Sequence, residues 1–217
     1  MKTDFSKLFD TVKWGGKLDN NEASMLYRTL SDLSSCDDNE DFANNYSTAI
    51  LVYGLTTSGA NNNIAFVEKF LNENLFCDTI RGAALKVLCQ DNYYGHSLKY
   101  QDLLIEQVNN INEDNVSSDM LYTSIISLGE CAFKNNSIKA LTCLYDNFCK
   151  IVAVPRRENE LYDILEVLYN ALQYAIWGND YSVKERYITF SKLRFPEDAN
   201  PKLIELVKSK IKEGDKQ

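Results

Sequence analysis

The chain has 217 residues, of which 45% are hydrophobic and 12% aromatic, and it carries a formal net charge of −8 at pH 7. This apolar content is enough for a continuous core in one domain or a short repeat array, so an intrinsically disordered chain is excluded. The acidic balance disfavours nucleic acid as a partner, because phosphate backbones are held mainly by Lys and Arg. A basic protein is the partner class that the charge favours.

Two features of the sequence bear on location. Charged residues occupy the first segment, Met1–Lys7, where a secretory signal needs an apolar run. No window approaches the roughly 20 consecutive apolar residues of a membrane-spanning helix. We therefore expect a cytoplasmic protein that makes no membrane contact.

The residues best able to bind a metal are few. The cysteines, at positions 36, 77, 89, 131, 143 and 149, fall in apolar stretches without a CxxC pair, and His96 is the one histidine. A zinc site needs about four clustered Cys or His ligands, so we expect six buried reduced thiols, no metal site and no cofactor. Most catalytic pairs of a nucleophile and a general base use histidine as the base, and this sequence has only one histidine. No glycine-rich phosphate-binding motif occurs either. The sequence predicts a protein that is not an enzyme.

The predicted elements are helices throughout, because no segment alternates apolar and polar residues as a half-buried strand does. The first helix places Phe5, Leu8 and Val12 on one face and ends at Gly15–Gly16. The second can be capped by Asp19 or Asn20. Further helices are predicted over about 40–55, 63–72, 75–90, 98–110, 117–134, 137–152 and 159–177, separated by breaks rich in Asn, and a last one is predicted within 178–217.

The long helices recur at regular spacing. Similar blocks begin at Ala49, Ala84, Ser124 and Ile164, at separations of 35, 40 and 40 residues. This period suits a unit of two helices that packs against the units before and after it. A helical bundle with similar helix lengths would produce the same spacing.

One block carries a recognisable motif. This block contains an acidic residue, an aliphatic residue followed by Arg, and Ala and Leu at helical spacing; these are Asp78, Ile80, Arg81, Ala84 and Leu88. With this pattern the block resembles the second helix of a HEAT repeat. The other blocks have Tyr46, Leu121 and Leu161 in the place of Arg81. The resemblance implies an all-α, right-handed α-solenoid of about four HEAT-like antiparallel helix pairs. This single domain would comprise an N-terminal cap (1–17), the repeats (19–177) and a C-terminal cap (178–217).

In such a stack the second helices line one concave surface, and in this chain they carry many acidic residues and tyrosines. Tyrosine is common in binding hot spots, and acidic side chains suit a basic partner. The candidate partner-binding residues are Glu40, Asp41, Tyr46, Tyr53, Asp119, Tyr122, Glu130, Asp163, Glu166 and Tyr169. The alternatives are solvated or helix-capping acids and tyrosines that pack in the core.

A small, acidic, Asn-rich helical protein without catalytic residues is similar in type to bacterial immunity proteins. These proteins neutralise a cognate toxin, often a nuclease with a basic active-site surface. The resemblance implies an inhibitor that occludes such a toxin. Two alternatives remain: an adaptor or scaffold, and an enzyme like the alkyl-base DNA glycosylases built on HEAT-like helices. The latter needs a basic groove, whereas the predicted inner helices offer few cations beyond Arg81 and Lys86.

Overall fold

The computed structural model describes residues 5–36, 39–57, 63–90, 95–112, 115–153 and 160–177. All regular structure in these ranges is helical, which confirms the all-α prediction. The helices are α1 (Ser6–Lys13), α2 (Asn20–Asp32), α3 (Glu40–Thr57), α4 (Ile64–Glu68), α5 (Asp78–Cys89), α6 (Gln101–Asn109), α7 (Asp119–Lys134), α8 (Ile138–Ala153) and α9 (Glu160–Trp177). The predicted C-terminal cap, 178–217, lies outside the described residues.

The ends of the first two helices follow the predicted signals. Gly15 has a φ of 84° just after α1, a left-handed conformation that glycine adopts at little cost. At the start of α2 the carboxylate of Asp19 accepts hydrogen bonds from the backbone N–H groups of Asn21 and Glu22. The side chain of Glu22 accepts one from the Asp19 N–H in return, which completes a capping box.

Two predicted helix starts in the middle of the chain are wrong by a few residues. The segment predicted as a helix over 63–72 is helical over 63–71, but only Ile64–Glu68 is α-helix, and the 3-10 turn Lys69–Leu71 follows it. Helix α5 begins at Asp78, because Cys77 before it has extended backbone angles. Residues 97–100 form turns, so α6 begins at Gln101.

The chain divides into two compact units. Unit 1 comprises Met1–Tyr100 with Ser118–Thr123, and unit 2 comprises Gln101–Ser117 with Ser124–Gln217. In unit 1, α3 packs against α1, α2 and α5, and α4 packs against α5. Fully buried side chains such as Ile50 on α3 and Leu85 on α5 fill this core. Each such aliphatic group contributes about 1.5–3 kcal/mol by leaving water.

In unit 2, α8 packs against both α6 and α9. Its core includes Leu104, Leu144 and Leu168, one from each of these helices. A polar contact joins α6 to α8: buried Asn147 donates from Nδ2 to Asn109 Oδ1 at 2.9 Å and to the Cys143 carbonyl at 2.9 Å. Because its amide group finds acceptors, Asn147 can be buried without a large desolvation cost.

Candidate protein-binding surface

Three of the predicted acidic residues of unit 1 are exposed at helix starts. Glu40 and Asp41 lie in the first turn of α3, and Asp119 lies in the first turn of α7. Carboxylates there interact favourably with the unpaired N–H groups of the helix, typically by 0.3–1 kcal/mol. None of the three forms an ion pair with another described residue. They are accessible charges that also help to begin their helices.

The predicted tyrosines of unit 1 differ in exposure. Tyr53 is only 5% exposed, and its ring centroid lies 5.0 Å from that of Phe66. Tyr53 is therefore a core residue, which corrects its prediction as a partner-binding residue. Because α1, α2 and α5 all pack against α3, little of that helix is left for solvent. Tyr46 is half-buried against Phe42, with ring centroids 4.4 Å apart, and Tyr122 is half-buried on α7.

An aromatic cluster on α2 and α4 was not predicted as a site. The exposed ring of Tyr27 stacks on Phe66 at 5.1 Å, and Lys69 Nζ lies 4.5 Å from the Phe66 centroid. Burial lowers the pKa of Lys69, an effect partly offset by the negative charge of Asp32. The Lys69 ammonium donates to the Leu30 carbonyl at 2.9 Å. This cation therefore holds two segments of unit 1 together.

In unit 2, α7 and α9 approach each other closely at Gly129. A Cβ added there would lie 3.0 Å from the Ala171 carbonyl oxygen and 3.2 Å from the Ala171 Cα and Cβ atoms. Glycine leaves room for this approach because it has no Cβ. Both helices also carry exposed residues on another side.

We call this surface the α7–α9 face; it consists of Ile126, Glu130, Phe133, Glu166, Asn170 and Tyr174. Ile126 is 43% exposed and Tyr174 is 42% exposed. The Phe133 ring contacts the Tyr174 ring edge to face, with centroids 5.2 Å apart. An aromatic contact therefore joins the two helices within the face.

The charged residues of the face are two predicted carboxylates. Glu130 pairs with Lys134 one helical turn later, at 3.8 Å. Glu166 is exposed and has no ion-pair partner in the described ranges. Tyr169 is half-buried beside Phe148 of α8, with centroids 6.4 Å apart, so it is not part of the face. The side chain of Asp163 lies outside the described residues.

The sequence-predicted set omits four residues of this face: Ile126, Phe133, Asn170 and Tyr174. A helical spacing signal does exist, because residues 126, 130 and 133 share one side of α7 and residues 166, 170 and 174 share one side of α9. Spacing alone cannot say which side of a helix is exposed. That depends on where the neighbouring helices pack.

The most interconnected titratable groups in the described ranges are Glu68, Lys99 and Tyr100. Glu68 Oε1 accepts from Lys99 Nζ at 2.7 Å and from the Tyr100 hydroxyl at 2.6 Å. The hydrogen bond from Lys99, and next that from Tyr100, lower the pKa of Glu68. Burial, and next the bond to Glu68, raise the pKa of Tyr100. The pKa of Glu68 and the pKa of Tyr100 are thus both shifted further from pH 7. A general acid or base works best with a pKa near the working pH.

The cysteines fall into two groups. Cys89, Cys131, Cys143 and Cys149 are buried, as predicted, and burial raises the pKa of Cys143 to about 11. Cys36 and Cys77 are half-buried, which corrects the expectation of six buried thiols. The described residues contain no group of three or more His, Cys, Asp or Glu placed to hold a metal ion. None of the helices described is long and apolar enough to cross a membrane.

Comparison of the chain with protein-family models, curated proteins and solved structures gave no match. Its function is therefore inferred from its own surface. The part of that surface with the most distinctive chemistry is the α7–α9 face, which combines exposed apolar residues with an exposed carboxylate that has no ion-pair partner among the described residues.

Proposed function

We propose that this chain is a non-catalytic protein-binding module whose α7–α9 face binds and occludes a basic protein. The observations that carry the proposal are these: exposed Tyr174 contacts Phe133, and exposed Ile126 lies on the same side of α7 as Phe133. Glu166 is exposed on the same side of α9 as Tyr174, without a cation among the described residues. Large apolar groups exposed side by side are typical of binding surfaces.

The chemistry of the face suits a protein partner. Tyrosine presents a large amphipathic ring with few rotatable bonds, so ordering it costs little conformational entropy. The contact with Phe133 limits the movement of Tyr174 further. A carboxylate at the rim speeds association with a basic surface and selects against acidic partners. A partner with an apolar centre and basic rim is the best complement.

Among binding functions, inhibition of a nuclease-type toxin agrees best with the charge. A nuclease must hold phosphates, so its active-site surface is basic, and a chain with net charge −8 is attracted to it. Such an inhibitor acts by occlusion and needs no catalytic group of its own.

We also propose that the helices form pairs of a HEAT-like α-solenoid. Side-chain contacts recur at sequence separations near forty: 39 for Lys69 with Leu30, 40 for Ser118 with Asp78, and 38 for Asn147 with Asn109. Contacts at a constant separation arise when equivalent helices of successive repeats are neighbours. These contacts lie within the separate units and support a repeat of about this length.

Binding is tested with the full chain as bait in an extract of its native cell, followed by mass spectrometry. The variants Glu166→Lys and Tyr174→Ala change the face, and Glu106→Lys is the matched control, because it reverses an exposed charge on α6. The partner should be retained by wild type and the control and lost by both face variants. With the purified partner, we expect each face variant to weaken binding about tenfold or more.

The mode of action is tested with the same purified partner. An inhibitor should abolish the partner's activity at a one-to-one ratio, whereas an adaptor should leave that activity intact. If every wild-type partner binds Glu166→Lys and Tyr174→Ala with unchanged affinity, the α7–α9 face is not the binding surface.

A further inference from the structure

Two of the cysteines, Cys36 and Cys77, lie side by side in unit 1. Their sulfur atoms are 2.6 Å apart, although 41 positions separate them in the sequence. Both residues are half-buried, so a small dissolved reagent can reach them, whereas the other four cysteines are buried. We propose that Cys36 and Cys77 are a modification site at which oxidation forms a reversible intramolecular disulfide.

The backbone around both cysteines keeps the pair together. The N–H of Cys36 donates to the Leu75 carbonyl at 2.6 Å, which ties the segment after α2 to the segment before α5. Cys77 is the residue directly before α5, and buried Ile80 anchors the first turn of that helix. Two thiols held in contact by the fold need little further ordering to form a bond, so the folded protein favours the disulfide.

The oxidant that we assign is a low-molecular-weight disulfide of the glutathione class. The thiolate of one cysteine attacks a sulfur of the reagent, which gives a mixed disulfide and releases one reagent thiolate. The thiolate of the second cysteine then attacks the cysteine sulfur of the mixed disulfide and releases the second reagent thiolate. The two cysteines lose two protons and two electrons in total, and the reagent disulfide is reduced to two thiols.

The bond would close a loop that contains α3 and α4. Such a cross-link restricts the unfolded chain, so the oxidised protein should unfold at a higher denaturant concentration than the reduced protein. Because the two sulfur atoms lie 2.6 Å apart, bond formation requires only a small further approach of the two side chains. A reducing thiol pool would restore the two thiols.

The test uses the full chain, purified in reduced form and incubated with oxidised glutathione. Acid quenching, alkylation with N-ethylmaleimide, trypsin digestion and mass spectrometry then locate the thiols that have reacted. We expect two thiols per chain to be lost and one cross-linked product, which joins Thr29–Lys69 to Phe70–Arg81 and separates on addition of dithiothreitol.

The contribution of the fold is measured by titrating the chain with mixtures of oxidised and reduced glutathione, once without urea and once in urea. The controlled quantity is the ratio of the oxidised glutathione concentration to the square of the reduced glutathione concentration. The native chain should be half oxidised at a ratio at least about tenfold lower than the ratio that the unfolded chain requires. Cys36→Ser and Cys77→Ser should each abolish the cross-link while the four buried thiols stay reduced. Equal midpoints with and without urea would overturn the proposal. Stable glutathione adducts, or a cross-link to another cysteine, would also overturn it. The wild-type measurement decides even if a variant does not fold.

Discussion

The carboxylate of Asp78, in the first turn of α5, accepts a hydrogen bond from the hydroxyl of Ser118 at 3.0 Å. It also accepts one from the backbone N–H of Met120 at 3.3 Å. Ser118 directly precedes α7, and its Oγ accepts from the Leu121 N–H at 3.1 Å. Asp78 therefore lies in the first turn of its own helix and also caps a helix that begins about forty residues later.

Replacement of Asp78 by Ala should destabilise the protein by about 1–3 kcal/mol, because the Met120 N–H and the Ser118 hydroxyl would lose their shared acceptor. Asp119→Ala is the matched control: it removes an exposed first-turn carboxylate and should cost about 1 kcal/mol or less. Urea denaturation gives both values. Equal losses for the two variants would show that only the helix-start charge matters at Asp78.

Gly82→Ala should also destabilise the protein, although alanine is the better helix former by about 1 kcal/mol. A Cβ on Gly82 would lie 2.8 Å from the Asp119 Cβ and 2.9 Å from the Asp119 carbonyl carbon. Backbone cannot move aside as a flexible side chain can, so overpacking should cost about 1–3 kcal/mol. Gly129→Ala meets its nearest atom at 3.0 Å and should cost less. Thermal or urea unfolding of both variants tests this order.

The local parts of the fold were predictable from the sequence. The glycine after α1 and the capping box at Asp19 depend on residues within one helical turn, so short-range chemistry is sufficient to place them. The contact between Asp78 and Ser118 spans 40 residues, a separation close to the predicted repeat period, which stays a prediction for the chain. Short helices were less predictable: α4 ends after five residues, where Lys69 bonds to the Leu30 carbonyl.

The candidate site was only partly predictable, because exposure depends on distant neighbours. Tyr53 and Tyr174 both lie on long helices with similar local sequence patterns, yet Tyr53 is buried and Tyr174 is exposed. Neighbouring helices cover α3 in unit 1, whereas one side of α9 in unit 2 is open to solvent. The contact between Cys36 and Cys77 likewise requires the fold, since no local motif links residues so far apart.

Stability should fall in acid partly through Glu68, whose pKa is lowered first by the hydrogen bond from Lys99. A carboxylate with a lowered folded-state pKa stabilises the protein fully above its unfolded value, about 4.3. That contribution is lost as the pH falls through the lower folded value. Glu68→Gln should therefore reduce stability at pH 7 and reduce its dependence on pH below about 4.5.

Urea denaturation of wild type and Glu68→Gln between pH 7 and pH 3 measures the difference. The two stabilities should converge as the pH falls. Glu106→Gln, which removes an exposed carboxylate on α6, serves as the control and should stay parallel to wild type. A constant difference between Glu68→Gln and wild type at every pH would contradict the assigned role.

Tyr174→Ala should cost little stability, about 1 kcal/mol or less, because the ring is 42% exposed and loses mainly its edge contact with Phe133. Phe148→Ala, in the buried core of unit 2, should cost about 3–5 kcal/mol. Both values come from urea denaturation. If Tyr174→Ala were as damaging as Phe148→Ala, Tyr174 would be required for folding, and loss of binding by that variant would not support the α7–α9 face.

Ser127→Ala should stabilise the protein by about 1 kcal/mol. The hydroxyl of Ser127 is buried on α7 and has no hydrogen-bond partner in the described part of the chain, and the same is true of Ser124. A buried hydroxyl without a partner costs about 1–3 kcal/mol, and alanine is also the better helix former.

Ser47→Ala is the matched control for the serine prediction, because its half-buried hydroxyl donates to the Asn44 carbonyl at 2.9 Å. Loss of that bond offsets the gain in helix propensity, so the change should stay within about 0.5 kcal/mol. Urea denaturation of Ser127→Ala and Ser47→Ala tests the prediction. A loss of stability in Ser127→Ala would mean that its hydroxyl is hydrogen-bonded in solution, for example to a water molecule between helices.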